Sequence, residues 1–293
     1  MLPERRDGAR TPSLMERLRQ NGRRRSRKNA VLANFFLEEY QRAAFMTAAK
    51  VGEHLALSPS TVVRFAASMG YEGYPALRRH LHQMVQADLR GTELFARHVK
   101  RREPNLLHSI IQRETQNLSR LLKDHPMEEL DRLAGAIVRA GRVFVVGFRA
   151  SSSLARYFGY HLEKIHPLVF TLTEEGSRAF DFLSAAGPSD VMIAIGFPRY
   201  PREELELIDF ARGEGVVVGA VTDSVLSPLA KRANIVLPVR AEVVSFVDSF
   251  CAPQVVLTSL LVRASMKNQL RTRSRLKRFE ELASRQRFFH SGE

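Results

Sequence analysis

Hydrophobic positions along this chain change period near its middle, and the change divides it into two halves. From Thr47 to Tyr74 it reads TAAKVGEHLALSPSTVVRFAASMGYEGY. Ala48, Val51 and Leu55 recur at spacings of three and four, which predicts a short amphipathic helix. Ser58 is a good N-cap and Pro59 fits a first helical position, where no amide is needed. The second helix turns Val62, Phe65, Ala66 and Met69 toward a core and stops at Gly70. Two short helices across a three- or four-residue turn are the unit whose second helix enters the major groove. On spacing alone, an ordinary helical hairpin with a well-capped second helix is the competing reading.

Around this pair, Ala30, Val31, Phe35 and Leu37 predict a helix from about 26 to 39, and another is expected over 76–87. Residues 1–87 therefore read as an all-helical domain. Segment 88–104 is polar and ends in Glu103-Pro104, the composition of a linker. Two more helices are expected over 105–123 and 126–140.

After Arg142 the pattern becomes short continuous apolar runs: Val143–Val146, Leu168–Leu172, Val191–Ile195, Val216–Val221 and Ile235–Val239. Helical patterns separate them, near 152–165, 176–186, 202–213 and 227–232. Alternation of this kind predicts five buried strands in a parallel sheet covered by helices on both faces. The chain is thus expected to be all-α followed by α/β, the second domain spanning 105–293. Ligands of such sheets bind beyond the carboxyl ends of the strands.

Charge sharpens the division. The net charge of +14 is distributed as +8 over 1–87, +1 over 88–266 and +5 over 267–293, which reads as a basic C-terminal tail. A nearly neutral body with basic ends suits a polyanion partner for the helical domain. The run Arg23-Arg24-Arg25-Ser26-Arg27-Lys28 is placed to neutralise phosphates beside the helix-turn-helix. Ser58, Ser60, Thr61, Arg64 and Lys50 are the candidate contacts to double-stranded DNA. No apolar run approaches twenty residues and the N-terminus has no secretory pattern, so no membrane span and a cytoplasmic setting are expected. Cys251 is the single cysteine; it argues against disulfides and cysteine-based metal sites and is expected to be a small buried hydrophobe.

Three loops at the strand ends carry the remaining chemistry: Gly147-Phe-Arg149-Ala-Ser151-Ser152, Gly196-Phe-Pro-Arg199-Tyr200-Pro and Thr222-Asp-Ser224. A glycine and serines at a helix N-terminus favour an anion, and the arginines add positive charge. The first loop lacks the second and third glycines of a dinucleotide fingerprint, and no cofactor is expected. Gly147, Arg149, Ser151, Ser152, Arg199, Tyr200, Thr222, Ser224 and Glu242, which follows the last strand, are the candidate effector residues. No metal ligands and no catalytic residues are assigned.

These pieces resemble the RpiR/MurR-type bacterial transcriptional regulators, a helix-turn-helix followed by a sugar isomerase (SIS) domain. The resemblance runs through Thr47–Leu55, Leu57–Phe65, Met69–Tyr74, Val146–Ser152, Phe197–Tyr200, Val221–Ala230 and Ser245–Ser249, nearly the full length and in the expected order. It implies an oligomeric DNA-binding regulator, a homodimer or homotetramer, whose SIS domain senses a phosphorylated sugar or related anionic metabolite. The chain departs from that pattern in two loops. Arg149 replaces the second glycine of Gly-x-Gly-x-Ser, and Gly196-Phe-Pro-Arg199-Tyr-Pro replaces Ser-x-Ser-Gly-x-Thr.

Two other readings stay beside the regulator. A sugar-phosphate isomerase with an accessory basic domain needs a base over its substrate, and Glu242 is the candidate, with His166 read as structural. A DNA-binding architectural protein would keep the SIS domain only for association. The non-enzymatic regulator is the expected function.

Overall fold

In the computed structural model the described residues are 14–18, 27–88, 91–101, 105–123, 127–241 and 243–290; Glu242 and most of the basic run, Arg23–Ser26, lie outside them. The chain divides between Arg90 and Gly91 into two compact units.

The first unit is helical: α1 (Arg27–Glu38), α2 (Tyr40–Ala43), α3 (Ala48–His54), α4 (Pro59–Ser68) and α5 (Tyr74–Asp88). Their apolar stripes meet in a core containing Leu32, Phe36, Val51, Val62, Phe65, Met69 and Leu77, all fully or nearly fully buried. Phe36 and Phe65 stack with ring centroids 5.7 Å apart, joining α1 to α4. Tyr74 donates its hydroxyl toward the carbonyls of Met46 and Ala43 at 3.1 and 3.3 Å, and burial pushes its phenol up to about 12. A helical turn at 14–18 buries Leu14 and Leu18, and its Arg17 donates to the Met69 carbonyl that ends α4.

The second unit opens with α6 (Gly91–Arg101), α7 (Leu106–Lys123) and α8 (Met127–Arg139). A helix thus occupies most of the segment whose composition suggests a linker. Glu93, Leu94 and Ala96 are good helix formers, and their propensity outweighs the polar look of the stretch. Phe95 of α6 packs edge-on to Phe246 at 6.2 Å.

Five parallel strands follow in the order β2-β1-β3-β4-β5, with β1 Val143–Val146, β2 Val169–Leu172, β3 Val191–Ile195, β4 Val217–Thr222 and β5 Ile235–Pro238. Helices α9 (Ser152–Glu163), α10 (Ser177–Leu183) and α11 (Arg202–Gly213) connect them, and α12 (Cys251–Lys267) and α13 (Gln269–Arg285) complete the unit. The continuous apolar runs resolve into two faces, because successive strand residues point to opposite sides. Val143, Val145, Ile193 and Ile195 pack with Leu133, Phe158 and Leu257. Phe144, Val146, Met192 and Ala194 pack with Leu183, Leu207 and Leu229. Burying both faces leaves the strand ends as the accessible edge.

Three details differ from expectation. Cys251 is exposed, since the buried stripe of α12 falls on Ala252, Val256, Leu257 and Leu260 instead. The stretch read as a basic tail forms α13, capped by the Asn268 side chain, which accepts from the Arg271 amide. A small antiparallel hairpin, β6 (Val243–Val244) and β7 (Val247–Asp248), follows β5. No helix among the described residues is long and apolar enough to cross a membrane.

Candidate DNA-reading helix and anion crevice

The turn between α3 and α4 is built by a close backbone approach. A Cβ on Gly52 would stand 2.5 Å from the Leu57 carbonyl oxygen, the atom that its own chain must pass. The Leu57 amide in turn donates to the Gly52 carbonyl at 2.7 Å. Ala56 takes the left-handed conformation, φ 53°, that reverses the chain between the helices. Thr47 and Ser58 cap the two helices, accepting from the amides of Lys50 and Thr61.

Burial orients α4. Val62, Phe65 and Ala66 face the core, while Ser58, Ser60 and Arg64 are exposed and Thr61 is half-buried. The hydroxyls of Ser60 and Thr61 lie 3.0 and 2.8 Å from that of Ser58, forming a cluster at the N-terminal end of the helix. Arg64 stands one turn further along, and Lys50 is exposed on α3. Arg27 and Lys28, the described end of the basic run, are exposed at the start of α1.

At the other end of the chain, strand order 2-1-3-4-5 makes the gap between β1 and β3 the topological switch point, where loops diverge and leave a crevice. The two flanking loops are built alike. Each starts with a glycine in close contact: a Cβ on Gly147 would lie 2.9 Å from the Ser151 carbonyl and 3.2 Å from that of Ile195, and one on Gly196 would meet Leu229 at 2.7 Å. Each then buries a phenylalanine, Phe148 or Phe197. Each next places an exposed arginine in the left-handed region, Arg149 at φ 54° and Arg199 at φ 78°. That conformation costs a residue with a Cβ about 1–2 kcal/mol. These are the two positions at which the resemblance expects glycine.

Several neighbouring donors are committed within the protein. Tyr200 donates its hydroxyl to Asp223, and burial followed by the Asp223 charge raises its phenol far above the ordinary value. Thr222 is fully buried and donates toward Asp223 at 3.2 Å and Ser227 at 3.1 Å. Thr222 therefore stands behind the crevice wall and Tyr200 braces it, so neither offers its hydroxyl to a ligand in this arrangement. Ser224 accepts from the Leu226 amide at 3.1 Å and keeps its own proton to donate. Ser151 is buried at the start of α9 and Ser152 half-buried beside it. Glu242, the last candidate and the proposed isomerase base, is outside the described residues.

Two carboxyl groups outside the candidate set, Asp223 and Glu204, matter here. Asp223 accepts from two side chains, and burial holds its carboxyl above the usual range. Its signal was present in the Thr222-Asp-Ser224 loop. Glu204, in the first turn of α11, is fully buried directly under Gly196 with no hydrogen-bond partner, and burial pushes its carboxyl well above the usual range. Its neighbour Glu203 accepts from the Gly176 amide. His166 lies at the opposite edge of the sheet. Its Nε2 is 3.1 Å from the Ala140 carbonyl, the Leu168 amide donates to Nδ1 at 3.3 Å, and burial lowers its affinity for a second proton. It is a structural bridge.

Both units resemble known domains. Residues 13–88 match the helix-turn-helix domain of the rpiR family and residues 136–263 match the SIS domain. The chain is 25% identical over 260 residues to an Escherichia coli (strain K12) protein named as the uncharacterized HTH-type transcriptional regulator YfhH, covering 87% of this chain and 92% of that one. The sugar isomerase domain of an RpiR transcription factor from Sphaerobacter thermophilus superposes with a TM-score of 0.58 at 28% identity, covering 60% of this chain and 99% of that one. The Vibrio vulnificus NanR protein complexed with ManNAc-6P superposes with a TM-score of 0.60 at 21% identity, covering 92% and 98%. The last of these speaks to the fold alone.

Proposed function

Starting from the premise that the chain belongs to the RpiR-type transcriptional regulators, with a helix-turn-helix and a SIS domain, we propose that it binds operator DNA through α4 and that an anionic metabolite at the β1/β3 crevice changes that binding. The metabolite is a phosphosugar or a related acid. The observation that carries this reading is the pair of outward-facing arginines, Arg149 and Arg199, flanking the switch-point crevice beside the N-terminus of α9. Guanidinium forks and free helix amides both stabilise an anion.

On the DNA side, Ser58, Ser60, Thr61, Arg64 and Lys50 are the proposed contacts, with Arg27 and Lys28 toward phosphate. One helix-turn-helix offers few base contacts, so the regulator acts as a homodimer or homotetramer on a two-fold operator. Its role is sensing rather than turnover, in the cytoplasm. The first 87 residues serve DNA, 88–104 join the parts, and 105–293 serve the effector and assembly.

The test is to select bound sequences from random DNA, then titrate the full chain against the recovered operator with and without N-acetylmannosamine 6-phosphate, glucose 6-phosphate and gluconate. At least one anion is expected to shift the operator affinity. Recovery of no preferred DNA sequence, or an operator affinity indifferent to every anion, would contradict the reading.

A further inference from the structure

We propose that α13 is a second contact to DNA, indifferent to sequence: its ridge of arginines, Arg271, Arg275, Arg278 and Arg285, neutralises phosphates of the duplex that α4 brings to the chain. The proposal rests on the reading above that α4 binds DNA, and adds a surface in the second unit. α13 lies outside both segments matched to known domains, 13–88 and 136–263.

The helix carries Arg271, Arg273, Arg275, Lys277, Arg278 and Arg285 against Glu280 and Glu281, whereas residues 88–266 are nearly neutral at +1. Arg271, Arg278 and Arg285 follow one another at intervals of two helical turns and so project from one side. Successive members stand about 10 Å apart along the axis, or roughly three nucleotide steps of one strand. Arg278 and Arg285 are exposed, and Arg271 and Arg275 half-buried.

Other exposed arginines of this unit stand against carboxylates. Arg132 meets Glu129 at 2.8 Å, Arg202 meets Glu206 at 2.8 Å and Arg156 meets Glu174 at 3.7 Å. The ridge breaks that pattern. Among the described residues no carboxylate comes within ion-pair distance of its four arginines, and Glu281 faces Lys277 instead, at 3.8 Å. Burial loosens the hold of Arg275 on its proton, and the charges of Arg271 and Arg278 add to the effect. Like charges at this spacing cost a helix stability. A face that served solubility alone would mix the two signs.

The ridge is also held in place. Arg275 donates to the Glu163 carbonyl at 2.7 Å, where α9 ends, and Lys164 lies over the rings of Tyr160 and Phe279 at 4.4 and 4.8 Å. Because α9 begins beside the crevice, its last turn stands about 17 Å from that end, so an effector and this surface do not overlap. Two copies of the ridge repel each other, and interface cores are depleted of charge. Duplex DNA is the polyanion that the first unit recruits, and the connecting chain keeps α13 at high local concentration beside it.

The experiment is a salt titration of binding by the full chain, on the selected operator and on an unrelated duplex of equal length. Arg271→Gln/Arg278→Gln/Arg285→Gln is expected to melt as the parent does and to bind both duplexes at least tenfold more weakly. Its salt slope is expected to be shallower by about 3 per chain, and that of Arg278→Gln alone by about 1. Preference for the operator is expected to stay unchanged. Arg271→Lys/Arg278→Lys/Arg285→Lys keeps the charge and is expected to bind as the parent does. Arg132→Gln/Arg156→Gln/Arg202→Gln removes the same charge from elsewhere in the unit and is expected to leave the slope unaltered. The proposal is overturned if the glutamine ridge variant keeps the parent's slope, or if the Arg132 triple variant loses as much; the α4 reading survives either result. A parent with no preference between the duplexes would contradict the α4 reading, while the unrelated duplex would still test the ridge.

Discussion

The turn of the helix-turn-helix and the loops of the strand-end crevice solve the same backbone problem with different residues. Both put glycine where another backbone comes close, Gly52 in one and Gly147 and Gly196 in the other. Both also contain a left-handed residue that is not glycine. In the first it is Ala56, whose methyl group carries no chemistry; in the second it is an arginine, twice. The hydroxyls differ in the opposite sense. Those of Ser58 and Ser60 are exposed at the helix start, whereas those of Thr222 and Tyr200 are committed inward. One region offers short polar groups from a relaxed helix, and the other offers long charged groups from a strained backbone.

The largest expected effect breaks the first region. Gly52→Ala puts a methyl group 2.5 Å from the Leu57 carbonyl oxygen, so the turn must open. The folded first unit should be destabilised by about 2–3 kcal/mol, as for other backbone-incompatible substitutions. Operator binding should fall with it, and calorimetry that found an unchanged transition would show the turn to be more tolerant than its geometry.

Next is Arg64→Ala, expected to weaken operator binding by about 1–3 kcal/mol if the side chain reads a base, with relaxed preference at that base. An equal loss on all DNA sequences would move Arg64 from base edge to phosphate. Stability should not change, because the side chain is exposed.

Glu204 gives a pH test of the second region. Its folded carboxyl is raised above the unfolded value, so the stability it permits is fully present below the ordinary carboxylate range and is lost as pH rises toward the folded value. Glu204→Leu should therefore stabilise the second unit more at pH 8 than at pH 5, read by urea titration. A gain independent of pH would mean that the carboxyl has found a partner. His166 works in the opposite sense: burial depresses its folded value, so the stability it contributes falls as pH drops below the ordinary imidazole range.

The smallest effect is at the cap. Ser58→Ala removes the acceptor for the Thr61 amide and should cost about 1 kcal/mol of helical stability. Ser58→Asp should restore the cap while repelling phosphate. If that variant bound DNA normally, the N-terminal end of α4 would not face the backbone.

What could be read ahead of the structure was local. The Ser58-Pro59 start of α4 and the apolar runs of the sheet are written in neighbouring residues, and they fold as their spacing implies. The order of the strands, and so the position of the crevice between β1 and β3, depends on crossovers that no single run encodes. The inward commitment of Tyr200 and Thr222 depends on Asp223, which is 23 residues from Tyr200. Gly52 was silent in the sequence because its constraint is a distance to Leu57, not a propensity. The helices α6 and α13 were hidden by their charge, which made them look like a linker and a tail.

The central claim is that DNA reading and anion sensing belong to separate units with separate donors, coupled through the chain. Its most direct test is fluorescence anisotropy of a labelled operator against the parent, Arg64→Ala and Arg149→Gly/Arg199→Gly proteins, each with and without an anion that shifts the operator affinity of the parent. The account predicts that Arg64→Ala weakens ligand-free binding and still binds the anion, whereas the glycine pair keeps ligand-free operator affinity and loses the response. A folded glycine-pair protein that lost operator affinity without ligand, or that still responded fully to the anion, would contradict it.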